Sequence, residues 1–507
     1  MLMRQVSVPI RRFLGKHPKA FGVIAAISAL AIFGVLRARG QGAAPSQHYD
    51  VVIANGRVMD PESGLDAVRN VGIAGGKIAT ISTAPLTGTT MIDAKGLVVA
   101  PGFIDMHEHG QEERNYEFQA HDGVTTSLEL EVGTNDVAKW YAAREGKSLI
   151  NFGVSIGHIP VRIQVMHDPG TFLPEGDAAR KPATPEQLAQ ISVLMEKGFR
   201  EGALAEGMGI NYTAAATHQE IIDMFRIAAK YHASVHVHLR YAGIKEPNTG
   251  LAALEEVIAA AAETGAQLHV VHITSMGLRD TPQLIAMVEG ARKHGLQVTM
   301  ECYPYNAAST ELQSTIFDPG WQEAMAITYK DLQWADTGER LTPETFAKYR
   351  KQGGVVVIYS IPDQVAREAV ANPDIMIASD GMPLTGAKVH PRGQGTYARV
   401  LGYYVREQKA LSLMSALRKM SFMPAQQLET RAPAFKNKGR IKVGADADIT
   451  VFNPVTVIDK ATFEQPLQYS AGIEFVLING VPVIKAGQFV KGVFPGRPAR
   501  APSAGDF

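Results

Sequence analysis

Two histidines, His107 and His109, close the apolar stretch "VVAPGFIDMHEHG" at residues 98–110. In an extended strand, side chains two apart share a face, so both imidazoles reach one point while Glu108 faces away. Two neutral imidazoles aimed together repel or need water unless a cation sits between them. Imidazole is a common ligand of zinc and its neighbours, so a divalent metal is the economical reading. Taken alone, the pair also fits a surface His-x-His at a strand end. Further along, "SVHVHLR" ends with His238, "LHVVHITS" with His272 and "DIMIASDG" with Asp380. Each lone histidine also fits a satisfied core or surface residue, and His236 and His269, earlier in their strands, are read that way. Chance accounts for the set of four histidines and one aspartate at successive strand ends far less readily than for any one of them.

Such a set needs a scaffold that delivers strand ends to one place. From about residue 101 to 435, apolar segments such as "ASVHVHL" and "LQVTMECYPY" alternate with amphipathic helical text such as "TPEQLAQISVLMEKGFREG". Strand and helix in alternation mean a parallel α/β fold, and this length favours a (β/α)8 barrel of the TIM type, whose C-terminal face collects the last residues of each strand. Residues 311–354 break the rhythm and are expected to insert a small helical element over the barrel mouth. Residues 48–100 and 436–494 read as short β-branched strands ending in Gly, Asn or Asp. They are expected to form one small β-sandwich domain built from both ends of the chain. The tail at 495–507, "PGRPARAPSAGDF", reads as disordered.

The chain has 507 residues, is 46% hydrophobic and 20% charged, and carries no formal net charge, so nothing argues for a nucleic-acid partner. Its one cysteine, Cys302, excludes an intramolecular disulfide. Residues 1–47 are set apart. Arg4, Arg11, Arg12, Lys16 and Lys19 precede an apolar run at 21–36, followed by "RARGQGAAPSQ". This pattern describes an export signal, and hence a periplasmic protein, or an uncleaved membrane anchor at 21–36; the run is short of the roughly 20 residues of a membrane span. "RRFLGK" resembles a twin-arginine signal with its Phe one place early.

"PGFIDMHEH" resembles the first-strand motif of the amidohydrolase superfamily. "GVTT", "GHIPVR", "EGALAEGMGINYTAAATHQEI", "HLR", "YPYNAAST", "SDG" with "HPRGQGTYARVLGYYVRE", and "GRIKVGADADITVFNP" narrow the resemblance to the N-acyl-D-amino-acid deacylase (D-aminoacylase) branch over about residues 48 to 490. The resemblance implies a (β/α)8 barrel with a β-sandwich, bound zinc as one or two divalent ions, and hydrolysis of linear amide bonds in small N-acyl amino acids. It implies His107, His109, His238 and His272 as metal ligands and Asp380 as general base, contacting the water that the metal activates. A metal brings bound water toward neutral pKa and polarises the amide carbonyl, and a carboxylate can carry the proton to the leaving amine. Tyr303, Ser309 and Arg392 match positions that hold the substrate carboxylate, and His158 and Arg240 are expected to line the site or to brace its loops. Arg162 and Tyr212 have the same status.

Two departures stand out. D-aminoacylases place a cysteine ligand after "GVTT"; here the text is "GVTTSLELEVG", where Glu129 and Glu131 share a strand face. Glu131, nearer the strand end, is the expected metal ligand, with Glu129 as the alternative. Cys302 lies on a different strand and reads as a buried thiol. The branch also carries a lysine two residues after the second single histidine, where this chain has Thr274. Both departures keep open a hydrolase of cyclic amides or of D- or modified dipeptides on the same centre. A non-catalytic exported binding protein is the third reading, opposed by the intact histidines and Asp380.

Overall fold

The computed structural model describes residues 48–384 and 388–503. The expected export signal or anchor at 1–47 lies outside the described residues, as do 385–387 and 504–507. Eight parallel strands form the central sheet: β1 (Phe103–Asp105), β2 (Val124–Thr134), β3 (Asn151–Gly157), β4 (Glu206–Gly209), β5 (Ser234–His238), β6 (Gln267–Val270), β7 (Val298–Cys302) and β8 (Ile375–Ile377). They neighbour one another in chain order. The two ends meet just beyond β1 and β8, where Asp380 N donates to His107 O at 2.7 Å and His109 N to Gly381 O at 2.8 Å. The sheet is a closed (β/α)8 barrel, as the alternation of the sequence predicts.

The period of two explains why the barrel carries both packing and chemistry. In β5, Val235 and Val237 join a core with Ile221, Phe225, Leu254 and Val257 of the flanking helices. His236 and His238 occupy the alternate positions. The helices obey ordinary rules: Pro185–Arg200 starts at a capping box between Thr184 and Gln187 and buries Ile191, Met195 and Phe199. One irregularity matters for the site. The pairing of β2 with β3 shifts between Glu129 and Thr134. There Gly133 adopts φ 70°, a left-handed conformation that glycine takes without steric cost.

The two ends of the chain join in one further sheet of nine strands, where Val98–Pro101 pairs antiparallel with Ile449–Phe452. Its core draws on both segments: Val51, Ile53, Ile73 and Val99 pack with Ile449, Val451 and Leu477. The interruption after β7 differs from the expected helical element. Three antiparallel strands, Ala308–Glu311, Leu332–Trp334 and Val355–Ile358, accompany the helices Trp321–Met325 and Pro343–Gln352. This unit has its own core around Phe317, Trp321, Trp334 and Phe346.

The tail corrects the expectation of disorder as far as Ser503. Ala499 N donates to Phe152 O at 2.7 Å and Ala501 N to Gly202 O at 3.1 Å, and both alanines are buried. The Pro-, Arg- and Ala-rich text lacks large apolar anchors, but its backbone pairs beside β3 and its alanines are buried there.

Candidate active site

The ends of the barrel strands converge on one buried cluster. His107 and His109 face each other with their Nε2 atoms 3.2 Å apart. Glu131 Oε2 lies 2.8 Å from the first Nε2 and 3.2 Å from the second. Asp380 Oδ1 lies 3.5 Å and 3.4 Å from the same two atoms. The other oxygen of Glu131, Oε1, is 3.1 Å from His238 Nδ1. Two groups of atoms that could hold a metal ion therefore share Glu131: His107, His109 and Asp380 on one side, His238 and His272 on the other. Among the described residues, the buried His238 Nε2 has no hydrogen-bond partner. Converging ring nitrogens, a shared carboxylate and an orphaned ring nitrogen fit one or two divalent ions of the zinc type.

Two residues of the cluster depart from ordinary backbone geometry. Asp380 has φ 54° and His272 φ 30°, left-handed values unusual for residues with a Cβ. Electrostatics follow from burial of paired charges. Burial pushes the Asp380 carboxyl up, but Arg392 at 2.9 Å and His107 pull it down to about 2. Burial likewise opposes ionisation of Glu131, yet His107, His109 and His238 hold its pKa well below the usual carboxylate range.

The two glutamates of β2 separate into different jobs. Glu129 Oε2 binds His109 Nδ1 at 2.7 Å. Its Oε1 accepts from Val132 N at 3.0 Å and Gly133 N at 3.2 Å, the backbone amides of the irregular turn. It orients a histidine and braces the strand, whereas Glu131 reaches the centre of the cluster. Glu108 faces away, as strand geometry requires, and accepts from Ser379 Oγ at 2.9 Å and Gly110 N at 2.8 Å.

The sequence reading overlooked Glu301. Its Oε1 lies 2.6 Å from His107 Nδ1 and its Oε2 3.1 Å from His269 Nε2. His269 Nδ1 in turn meets Thr299 Oγ1 at 2.8 Å. This buried chain fixes the tautomer of His107 and keeps its Nε2 turned to the cluster. The only sequence signal was a glutamate inside an apolar strand, "VTMEC". Glu301→Gln is expected to weaken metal binding about 10- to 100-fold, read by chelator competition. Affinity unchanged within about two-fold would remove Glu301 from this role.

A narrow cavity of about 50 Å³ opens over the cluster. It is lined by His109, Glu131, His238, His272, Asp380 and Arg392 on its polar side, with Val132, Phe172, Leu173, Met276 and Ile358 among its apolar walls. Tyr303, Ser309 and Tyr212 also reach it. Arg392 Nη2 binds Asp380 and Ser309 O, but its Nε and Nη1, like the Tyr303 hydroxyl, are buried with no partner among the described residues. Ser309 lines the cavity, yet its hydroxyl donates to Val356 O at 3.0 Å, so that proton is not directed at a ligand.

His158 and Arg240 do not line this cavity. His158 Nε2 meets Glu220 at 2.9 Å, and Arg162 binds the same carboxylate, which ties helix His158–Met166 to helix His218–Lys230. Arg240 forks onto Glu256 at 2.8 and 2.6 Å and donates to Ala214 O at 2.7 Å. Of the two places expected of them, lining the site or bracing its loops, these contacts fit bracing: His158 meets the buried Glu220 and Arg240 the half-buried Glu256, partners that the sequence alone does not pair with them. Thr274 is buried, and its hydroxyl has no partner among the described residues. Cys302 is a buried free thiol, pushed up to about 12 by burial.

Comparison with known proteins agrees with this geometry. Residues 178–484 match the model of the amidohydrolase family. The chain is 30% identical over 487 residues to an N-acyl-D-glutamate deacylase of Alcaligenes xylosoxydans xylosoxydans, covering 86% of this chain and 94% of that one. It is 29% identical over 488 residues to a D-aminoacylase of the same organism, with 86% and 95% covered. Among solved structures, an N-acyl-D-glutamate deacylase of Bordetella bronchiseptica, complexed with zinc and a phosphonate mimic of the tetrahedral intermediate, superimposes with a TM-score of 0.77 at 26% identity, covering 90% of this chain and all of that one. The chain belongs to the amidohydrolase family and is a hydrolase of carbon–nitrogen amide bonds.

Proposed function

We propose that the protein hydrolyses the linear amide of N-acyl amino acids at a divalent metal centre, with zinc as the metal. One observation carries the reading: the shared-carboxylate cluster faces the same cavity as an arginine with two unpartnered nitrogens. His107, His109, His238, His272 and Glu131 would hold the metal. When bound, it supplies Lewis acidity, activating water and polarising the amide carbonyl. Asp380, ionised at neutral pH, takes the proton of the attacking water and returns it to the leaving nitrogen. The second transfer matters because amines leave poorly as anions. Arg392 offers Nε and Nη1 in a fork that matches a carboxylate, and Tyr303 adds a hydroxyl. The deacylases among the relatives act on D-amino-acid derivatives, which supports the same stereochemistry here.

The test pairs metal analysis of the purified protein with a panel of N-acetyl-D- and L-amino acids. Bound zinc with D-selective release of acetate is expected. Full activity in metal-free protein would overturn the reading, as would a loaded protein that cleaves neither this panel nor its longer-chain N-acyl counterparts. Export to the periplasm is part of the same proposal, supported by the basic segment and apolar run of residues 1–47. Cell fractionation tests it, and a wholly cytoplasmic protein would refute it.

A further inference from the structure

A second, open groove of about 600 Å³ adjoins the catalytic cavity. The two share Ala242, Ile316 and Met325 as a common wall. The groove is otherwise lined largely by small and apolar groups, including Ala179, Ala215, Tyr241, Pro319, Trp321 and Ala324. The charged residues on its rim are already paired. Arg240 is held by Glu256, and Arg180 by Asp318, which also binds Arg350. The groove therefore offers apolar surface, with Asn211, Asn248 and Thr315 as uncharged polar groups, rather than a free charge to whatever enters it.

Its position relative to Arg392 is set by the barrel. Arg392 follows β8 and Tyr303 follows β7, whereas one side of the groove is bordered by Asn211, Ala214, Arg240 and Tyr241, which follow β4 and β5, and its other side by residues 315–325 of the insertion that reaches over the mouth from β7. In a closed barrel of eight strands, the fourth and fifth lie across the mouth from the eighth and first. The metal-ligating cluster occupies the space between. A molecule anchored by a carboxylate at Arg392 and crossing that cluster ends toward the groove. In an N-acyl amino acid the groups run in the order carboxylate, α-carbon, amide, acyl chain. The acyl chain is the part beyond the scissile bond.

Resting on the deacylase reading above, we infer that the groove receives the acyl chain, so that the preferred substrates are N-acyl amino acids with long, apolar acyl groups. Each methylene buried against such a wall raises affinity by up to about four-fold, and by about two-fold where one side stays open to water. The metal-loaded full chain is assayed with one amino acid carrying acyl groups from acetyl to decanoyl. kcat/KM is expected to rise about two- to four-fold per methylene before levelling off. Ala324 lines the groove and not the catalytic cavity. In Ala324→Glu the ratio of decanoyl to acetyl turnover is expected to fall at least about ten-fold, because a charge replaces apolar wall. A flat or falling series in the unmodified protein overturns the inference and leaves the deacylase reading standing. A ratio unchanged in Ala324→Glu overturns the assignment of the groove. Failure to cleave any member, acetyl included, overturns the deacylase reading itself and the groove's role with it.

Discussion

Asp380→Asn is expected to lower kcat about a thousand-fold or more while metal content stays at the unmodified level. The amide keeps the shape of the side chain and an oxygen toward His107 and His109, so the cluster remains assembled. What is lost is a group that can take a proton from water and hand it on. Burial disfavours the charge at this position, and Arg392 and His107 restore it. The sequence therefore places a permanent cation, Arg392, against the base, and Asn at 380 leaves that cation without its anion. Steady-state kinetics with parallel metal analysis separates the two effects. Activity retained within about ten-fold would remove Asp380 from proton transfer, and loss of metal would move it from base to essential ligand.

The second large effect is at Glu131. Its two oxygens touch His107, His109 and His238, so it is the residue common to both ligand groups. Glu131→Ala is expected to leave less than about a tenth of the metal bound after dialysis, with activity falling in proportion, because the two ligand groups lose the carboxylate they share. Glu129→Ala should cost less metal, since Glu129 touches His109 only through Nδ1 and otherwise braces backbone amides. Glu131→Cys offers a thiolate in the same place and should recover part of the metal, whereas a merely structural carboxylate would not be rescued in this way. If Glu129→Ala loses more metal than Glu131→Ala, the two assignments exchange.

Much of this site was legible because strand geometry is local. A spacing of two places His107 and His109 on one face, and strand ends in a barrel of this type converge whatever lies between them. Hence four histidines and Asp380 could be named from text alone. Glu129 and Glu131 could not be told apart, because the same period of two gives both one face. The irregular pairing near Gly133 and the position of His238, contributed from 107 residues away, decide between them.

The remaining differences share a cause. Glu301 meets His107 across 194 residues, and His158 meets Glu220 across 62, so neither pairing leaves a mark at short range. A buried polar group takes the partner that packing brings to it, and that partner determines whether it positions a ligand, braces a helix or faces a cavity. The tail followed the same logic: composition described its lack of large anchors, while the place beside β3 where its alanines are buried exists only in the folded barrel. The sequence by itself determined the barrel and the placing of four histidines and Asp380 at successive strand ends, through periodicity, while their roles as ligands and base are what the family resemblance implies. The tertiary structure alone decided which glutamate reaches the centre, which arginine keeps free nitrogens and which groove adjoins the cavity, because those depend on contacts between segments distant along the chain.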